Sequence, residues 1–352
     1  MARLKNVLYR RLLFGLLGLG GMALAHAEDD KEIRVYASLR TQAESVRAGQ
    51  SQYMDDYTAV RDAYSRVGIE AEHALASGTE LFARVEVPFD TANLAFRDPY
   101  DQGGSGRAHG ASLRLALVGI KGVAGQVVAG QQWLPYYNAI AAPVDMFSSY
   151  YSGFATYTLT RAADTLAYYS PTFGGFSFAA SYSGAGGNRR STSRIDDRRI
   201  QLTGSYALGE TLLSVGMDDR GDAGYGRNRL YGAAISRTLG AFQLAAKYEY
   251  FDSGDKTPGH FASNGNRALN LFGSYTTGRN TFKLMLADVE TYGGKVVHLG
   301  VDHQYTAALK VFAEFYREEK TASVTIKRGG LSDFDARIEG GQVFLLGARY
   351  DF

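Results

Sequence analysis

The sequence predicts an all-β chain, a sixteen-stranded antiparallel transmembrane β-barrel. Three observations predict it. Runs of roughly ten residues alternate apolar with polar side chains, as a barrel wall between two environments requires. The links between these runs are short and long in turn. The composition combines 42 glycines, 24 tyrosines and 19 phenylalanines with only six prolines and no cysteine.

The first 27 residues stand apart. Arg3, Lys5, Arg10 and Arg11 form a basic head, Leu12 to Leu24 an apolar middle, and Ala25-His26-Ala27 a small-x-small cleavage site. This predicts a secretory signal peptide over 1–27 and a barrel over 28–352. The apolar run is short for a spanning helix of about 20 residues, which weighs against an anchor. The full chain carries 38 basic and 36 acidic residues; without the four basic residues of 1–27 the remainder is 34 against 36, a net charge of −2. Bulk charge therefore gives no argument for nucleic-acid binding. An exported chain without cysteine uses no disulfides.

The strands follow in order. Glu32–Gln42 opens the wall, with Ile33, Val35, Ala37 and Leu39 opposite Arg34, Tyr36, Ser38 and Arg40. Gln50–Tyr57 reads as a polar loop. Arg66–Leu75 sets Arg66, Glu70 and Glu72 against Val67, Ile69 and Ala71. Thr79–Asp90 alternates most clearly, with Leu81, Ala83, Val85 and Val87 out and Glu80, Arg84 and Glu86 in. Ala111–Lys121 carries Leu113, Leu115 and Leu117 against Arg114, and Gly125–Gln132 follows. The Gly- and Asp-rich stretch Arg97–Ala108 reads as a loop.

The alternation then stops from Trp133 to Leu159. Two prolines and many aromatics fill this segment, so it should fold against something. A hairpin resumes the wall: Asp164–Tyr169, the turn Ser-Pro-Thr-Phe-Gly-Gly, and Gly175–Ser183, where Phe176, Phe178, Ala180 and Tyr182 share one face. Pro171 cannot join a ladder and Gly174-Gly175 can take positive φ, so the turn is tight. After the loop Gly184–Asp196, nine more strands follow. They are Arg198–Ala207, Thr211–Asp219, Arg229–Thr238, Ala241–Phe251, Ala268–Thr277, Thr281–Glu290, Val296–Tyr305, Lys310–Glu319 and Gln342–Phe352. An even count with short turns at one end and longer loops at the other is the outer-membrane barrel pattern. Parity directs Arg34, Arg40, Arg84 and Arg114 inward, because a charge facing lipid at midplane costs about 2–4 kcal/mol. Glu70, Glu80 and Glu86 share that face.

Three segments resemble the trimeric general diffusion porins of Gram-negative bacteria. They are Ser65-Arg66-Val67-Gly68-Ile69-Glu70-Ala71, Gly130-Gln131-Gln132-Trp133, and Thr160–Gly184 with Arg161 ahead of its Tyr-x-Ser-Pro core; the terminal Phe352 adds to them. The resemblance implies that the long third loop, about Pro135–Leu159, folds into the lumen and narrows it, with an acidic group facing basic residues of the wall. Arg66 and Arg161 match wall arginines of the family. Gln131 stands where a third arginine is usual. Asp145 is the one carboxylate between Pro135 and Leu159. The expected constriction is thus Arg40, Arg66, Arg84 and Arg161 opposite Asp145, with Arg34, Arg114, Gln131 and Glu86 as further lumen residues.

The function expected is passive diffusion of small hydrophilic solutes and ions across the outer membrane, with weak anion preference. The resemblance also implies a homotrimer in contact with outer-membrane lipid and lipopolysaccharide. No cofactor and no structural metal is expected. Two other classes compete. A sugar- or aromatic-acid-specific channel would use the aromatic third loop for stacking, and an adhesin would use the outer loops. A barrel enzyme needs a placed acid, base or nucleophile. The histidines of 28–352 (His73, His109, His260, His298 and His303) are scattered, and no H-x-x-x-H or G-x-S-x-G pattern stands beside them.

Overall fold

The computed structural model describes residues 31–49, 55–75, 78–96, 113–153, 155–184, 198–221, 226–320, 322–324 and 339–352. The expected signal peptide and the Arg97–Ala108 loop lie outside them, as does nearly all of Gly184–Asp196. Seventeen strand segments form one antiparallel sheet. They are β1 (Lys31–Ala48), β2 (Tyr57–Asp62), β3 (Arg66–Ala74), β4 (Glu80–Pro88), β5 (Leu115–Gly122), β6 (Gly125–Trp133), β7 (Arg161–Tyr169), β8 (Phe176–Ser183), β9 (Arg199–Leu208), β10 (Thr211–Asp219), β11 (Asn228–Leu239), β12 (Phe242–Ser253), β13 (Arg267–Thr277), β14 (Asn280–Val289), β15 (Gly294–Gln304), β16 (Leu309–Lys320) and β17 (Glu339–Asp351).

The sheet closes on itself as a sixteen-strand barrel. β1 pairs with β17 along one edge, from Ser38 opposite Asp351 to Ala48 opposite Gly341. Along its other edge it pairs with both β2 and β3. These two are therefore one wall strand, interrupted at Ala63-Tyr64-Ser65, where Tyr64 takes φ +67. Phe352 completes the seam: its N–H donates to the Ala37 carbonyl at 3.0 Å, and its own carbonyl accepts from the Ala37 N–H at 2.8 Å. Closure leaves no sheet edge, which is what permits strands to cross lipid.

Two faces follow from the alternation. In β8, Phe176, Phe178 and Tyr182 are exposed while Ala179, Ser181 and Ser183 are buried. The same rule places Val60, Leu166, Val215 and Leu346 outward. The tight turn between β7 and β8 has Gly174 at φ +56 and Gly175 at φ +91, closed by paired hydrogen bonds between Phe173 and Phe176.

The structure departs from the sequence reading in several places, among them the start of β7 at Arg161 rather than Asp164. β1 runs to Ala48 rather than Gln42, because Thr41–Val46 gain a partner in Tyr57–Asp62. Leu115 and Leu117 point inward, opposite Glu86 and Arg84, and the outward apolar residues of β5 are Val118 and Ile120. Trp133 still belongs to β6, and the non-alternating segment contains a π-helical turn, Tyr137–Ala141, and a 3-10 turn, Ala142–Val144.

Candidate functional site

The long segment between β6 and β7 is held by wall side chains that grip its main chain. The Tyr136 N–H donates to Gln201 at 2.9 Å, the Ser148 N–H to Glu314 at 2.7 Å, and the Tyr150 N–H to Gln42 at 2.8 Å. The Tyr157 N–H donates to Glu249 at 3.1 Å. Lys283 donates to the Met146 carbonyl, and Lys247 and Asn270 both donate to that of Ala155. Arg220 reaches the Tyr157 carbonyl at 2.6 Å. The grip comes from β1, β9, β12, β13, β14 and β16, with Arg220 just past β10 and Tyr64, between β2 and β3, donating to the Tyr150 carbonyl at 2.8 Å. Between β9 and β12 the contact is apolar instead: Tyr136 and Ile140 lie against Gly216 and Gly232, where a Cβ would be tight at Gly216 and would overlap them at Gly232.

The gripping side chains are buried and paired. Lys247 and Glu249, both fully enclosed, form an ion pair at 2.5 Å. Glu314 accepts from His298 at 2.8 Å, and His298 stacks on Phe147 with ring centroids 3.5 Å apart. Tyr151 stacks on Tyr316 and donates to Glu44 at 3.1 Å. The guanidinium of Arg61 lies 3.8 Å from the centre of the Tyr150 ring. Such pairs fix geometry because each removed partner would strand a buried charge.

The wall formed by β1, β3, β4 and the start of β5 carries a different network, built rung by rung across adjacent strands. Arg34, Glu70 and Arg84 stand side by side on β1, β3 and β4, and both arginines bond Glu70. One rung on, the Tyr36 ring covers Gly68 and its hydroxyl donates to Glu86 at 2.9 Å. Glu86 also takes Arg114 at 2.7 Å and Arg66 at 3.3 Å. Arg114 precedes β5 and still reaches this carboxylate. On the next rung Ser38 lies between Asp351 and Arg66. Arg40 then faces Arg349 of β17, which faces Lys310 of β16. Asp351 pairs with Arg349 and Asp302 with Lys310, each at 2.7 Å.

The other expected residues fall elsewhere. Arg161 stacks 4.9 Å over Trp133, at the root of the loop. Asp145 accepts hydrogen bonds from Tyr137 (2.6 Å) and Ser152, within its own loop. Gln131, expected in the lumen, stands opposite Ala116 on the face of Val118 and donates to the carbonyls of Leu113 and Arg114. The buried, inward glutamine is Gln132, which donates to the carbonyls of Val128 and Thr165. A register shift between Gly130 and Gln132 marks this region. Sequence reading missed Lys247, Lys283, Lys310 and Arg349. Alternation with Tyr248, Leu284, Val311 and Tyr350 was available to find them.

A Gram-negative porin family model matches residues 16–323. Among solved structures, the chain is similar to the anion-selective porin from Comamonas acidovorans, with 17% identity, a TM-score of 0.69, and coverage of 92% of this chain and 100% of that one. It is similar to Salmonella typhi OmpF in a complex with daunomycin, at 15% identity and a TM-score of 0.69, over 93% and 99% of the two chains. It is also similar to a trimer form of OmpT, an outer membrane protein of Vibrio cholerae, at 16% identity and a TM-score of 0.61, over 92% and 100%. No curated protein matches it in sequence. At these identities the structures speak for the fold, and the family model for the rest. The closed sixteen-strand wall, its apolar outer face and the family match over most of the chain lead to one conclusion: this protein belongs to the Gram-negative porins and forms a channel in the outer membrane.

Proposed function

We propose that the segment 134–160 lies across the lumen and confines solutes to the side bounded by β1, β3, β4, β5 and β17. Hydrophilic solutes and ions then diffuse passively along that wall with weak anion preference. The observation that carries this reading is the charge balance there. Along the middle rungs Arg34, Arg40, Arg66, Arg84, Arg114 and Arg349 stand against Glu70, Glu86 and Asp351, while Glu80 and Glu44 on the same strands are each balanced, by Lys121 and Arg61. Asp145, the loop's one carboxylate, keeps its charge and is held within its own loop by hydrogen bonds from Tyr137 and Ser152. A positive wall with little opposing charge favours anions. Arg66 and Arg84 act here as wall charges, with Glu86 between Arg66 and Arg114 and Glu70 between Arg34 and Arg84, while Arg161 and Trp133 brace the loop root.

We read the chain as a homotrimer exported with residues 1–27 removed and without a catalytic role. The trimeric form among its structural neighbours and the channel family support that reading. The test is the reversal potential of the purified protein in a planar bilayer across a KCl gradient. The expected value is anion-directed and moves toward zero in Arg66→Ala. A cation-directed potential would overturn the preference, and absence of conductance would overturn the channel. Conductance rising in steps of three would support the trimer.

A further inference from the structure

The outward, lipid-facing side of the barrel is uneven in height across β8 to β13. Gly204 and Ala233 are set on one cross-strand rung and Ala246 on the next, and all three are short. Phe176, Tyr206 and Tyr248 stand exposed around them. The result is an apolar groove of about 620 Å³ in the outer wall. Clefts of roughly 300–1,000 Å³ are of the size that holds a single ligand.

The groove opens at the short-turn end of the strands, which is the periplasmic end of such a barrel. Tyr206 lies just before the end of β9 at Leu208, and Phe176 begins β8. Exposed aromatic side chains mark this depth as a membrane–water interface: Phe242 and Tyr275 are neighbours here, with ring centroids 4.7 Å apart. Between the groove and the turn stands Arg237, beside Thr211 on β10 and Leu244 on β12. It is exposed and shares the outward face of Ile235 and Leu239. Among the described residues no carboxylate forms an ion pair with it. A lipid-facing charge is costly at the midplane and tolerated near the interface, so parity and depth together assign this guanidinium to the headgroup layer. An unpaired cation at the mouth of an apolar groove complements a ligand with one anionic group and one long apolar chain.

We infer that Arg237 and this groove form a seat for one glycerophospholipid of the periplasmic leaflet. Its phosphate takes the Arg237 guanidinium through charge-assisted, often bidentate hydrogen bonds. One acyl chain lies over Gly204, Ala233 and Ala246, between the rings of Phe176, Tyr206 and Tyr248. Arg237 is two residues from Ile235 on the groove's edge, roughly 7 Å along the strand, so the glycerol links the two contacts directly. A smooth apolar belt wets with any lipid, whereas a groove with a cation at its mouth fixes the position of one. A lipid of the opposite leaflet carries its headgroup at the long-loop end of these strands, out of reach of Arg237. The inference rests on the placement of the barrel in the outer membrane and is independent of the route of the third loop.

The test is native mass spectrometry of the purified, detergent-solubilised protein titrated with dioleoyl-phosphatidylglycerol. The expected result is one phosphatidylglycerol per chain, held more tightly than the graded adducts that follow. Its affinity should fall about tenfold in Arg237→Gln, the loss of one charge-assisted contact. It should also fall in Ala233→Leu, which fills the groove and leaves the cation in place. Arg279→Gln, on the neighbouring short turn between β13 and β14, should leave it unchanged. Dioleoylglycerol, with the same chains and no phosphate, should bind about tenfold more weakly or less. Glycerol phosphate, with the phosphate and no chains, should not be retained; its retention as tightly as the lipid would overturn the acyl groove. Graded adducts without a distinct first site, or a first site as strong in either Arg237→Gln or Ala233→Leu as in the parent chain, would overturn the seat. The reversal potential reports on the lumen, so the channel reading and this one fail separately.

Discussion

At the residue scale, the instructive pair is Lys247 and Glu249, two enclosed charges on β12 that hold the third loop through the Ala155 carbonyl and the Tyr157 N–H. Removing one partner of such a pair strands the other. Lys247→Met should therefore cost about 3–5 kcal/mol in denaturant unfolding of the detergent-solubilised protein. The double variant Lys247→Met with Glu249→Leu should recover much of that. A single-variant loss below about 1 kcal/mol would show that the pair does not carry the loop. Neither residue was singled out from sequence, although Lys247 sits in plain alternation with Tyr248. Two charges of opposite sign two residues apart look like ordinary lumen residues until a distant loop lies on them. Arg34, Arg40 and Arg84 were legible for the opposite reason: their orientation is fixed by parity alone. Arg114 reaches the same face from outside the strand, where parity has no authority. Gln131 was expected inward from the family's arginine, but it shares the outward face of Val127 and Ala129, and the extra residue of the nearby register shift lies in β7, between Ala162 and Thr165.

At the element scale, the third loop is seated by close backbone approach as much as by hydrogen bonds. Tyr136 and Ile140 occupy the space that a side chain at Gly232 would need, and crowd Gly216. Gly232→Ala should thus displace the π-helical turn, at a cost of about 1–3 kcal/mol for overpacking. In single-channel records it should appear as a larger or fluctuating conductance with the barrel intact. Unchanged conductance would mean that the turn lies clear of the path. The strand order was legible because alternation and turn residues repeat sixteen times. The break in the second wall strand was not, because Ala63-Tyr64-Ser65 carries no glycine or proline to announce the positive φ at Tyr64. The loop's route was illegible too. Its partners lie on β1, β9 and β12 to β16, separated from it by up to 166 residues in sequence, and no local pattern encodes such contacts.

At the scale of the whole molecule, an uneven distribution of charge around a water-filled bore should filter weakly and depend on salt. Screening shortens the reach of the arginine wall from about 10 Å at 0.1 M to about 3 Å at 1 M ionic strength. The anion-to-cation permeability ratio should accordingly approach unity as KCl is raised over that range. A ratio that holds constant would point to exclusion by size or by bound ions instead of by field. Two duties meet within one wall. Strands β12 to β15 spend their charges in closed pairs such as Lys247–Glu249 and Lys283–Asp302, while β1 both grips the loop through Gln42 and carries Arg34 and Arg40.

Part of the wall's hold on the loop falls on its main chain: the N–H groups of Tyr136, Ser148, Tyr150 and Tyr157, and the carbonyls of Met146, Ala155 and Tyr157. Every residue type except proline offers the same amide, so these clasps are indifferent to what the loop's exposed side chains are. The loop's path is thereby written in the barrel, while its chemistry is written in the loop. A designer could recode such side chains, or an evolving lineage could drift through them, without redrawing the loop's path; with the segment across the lumen as proposed, that would change what the channel admits.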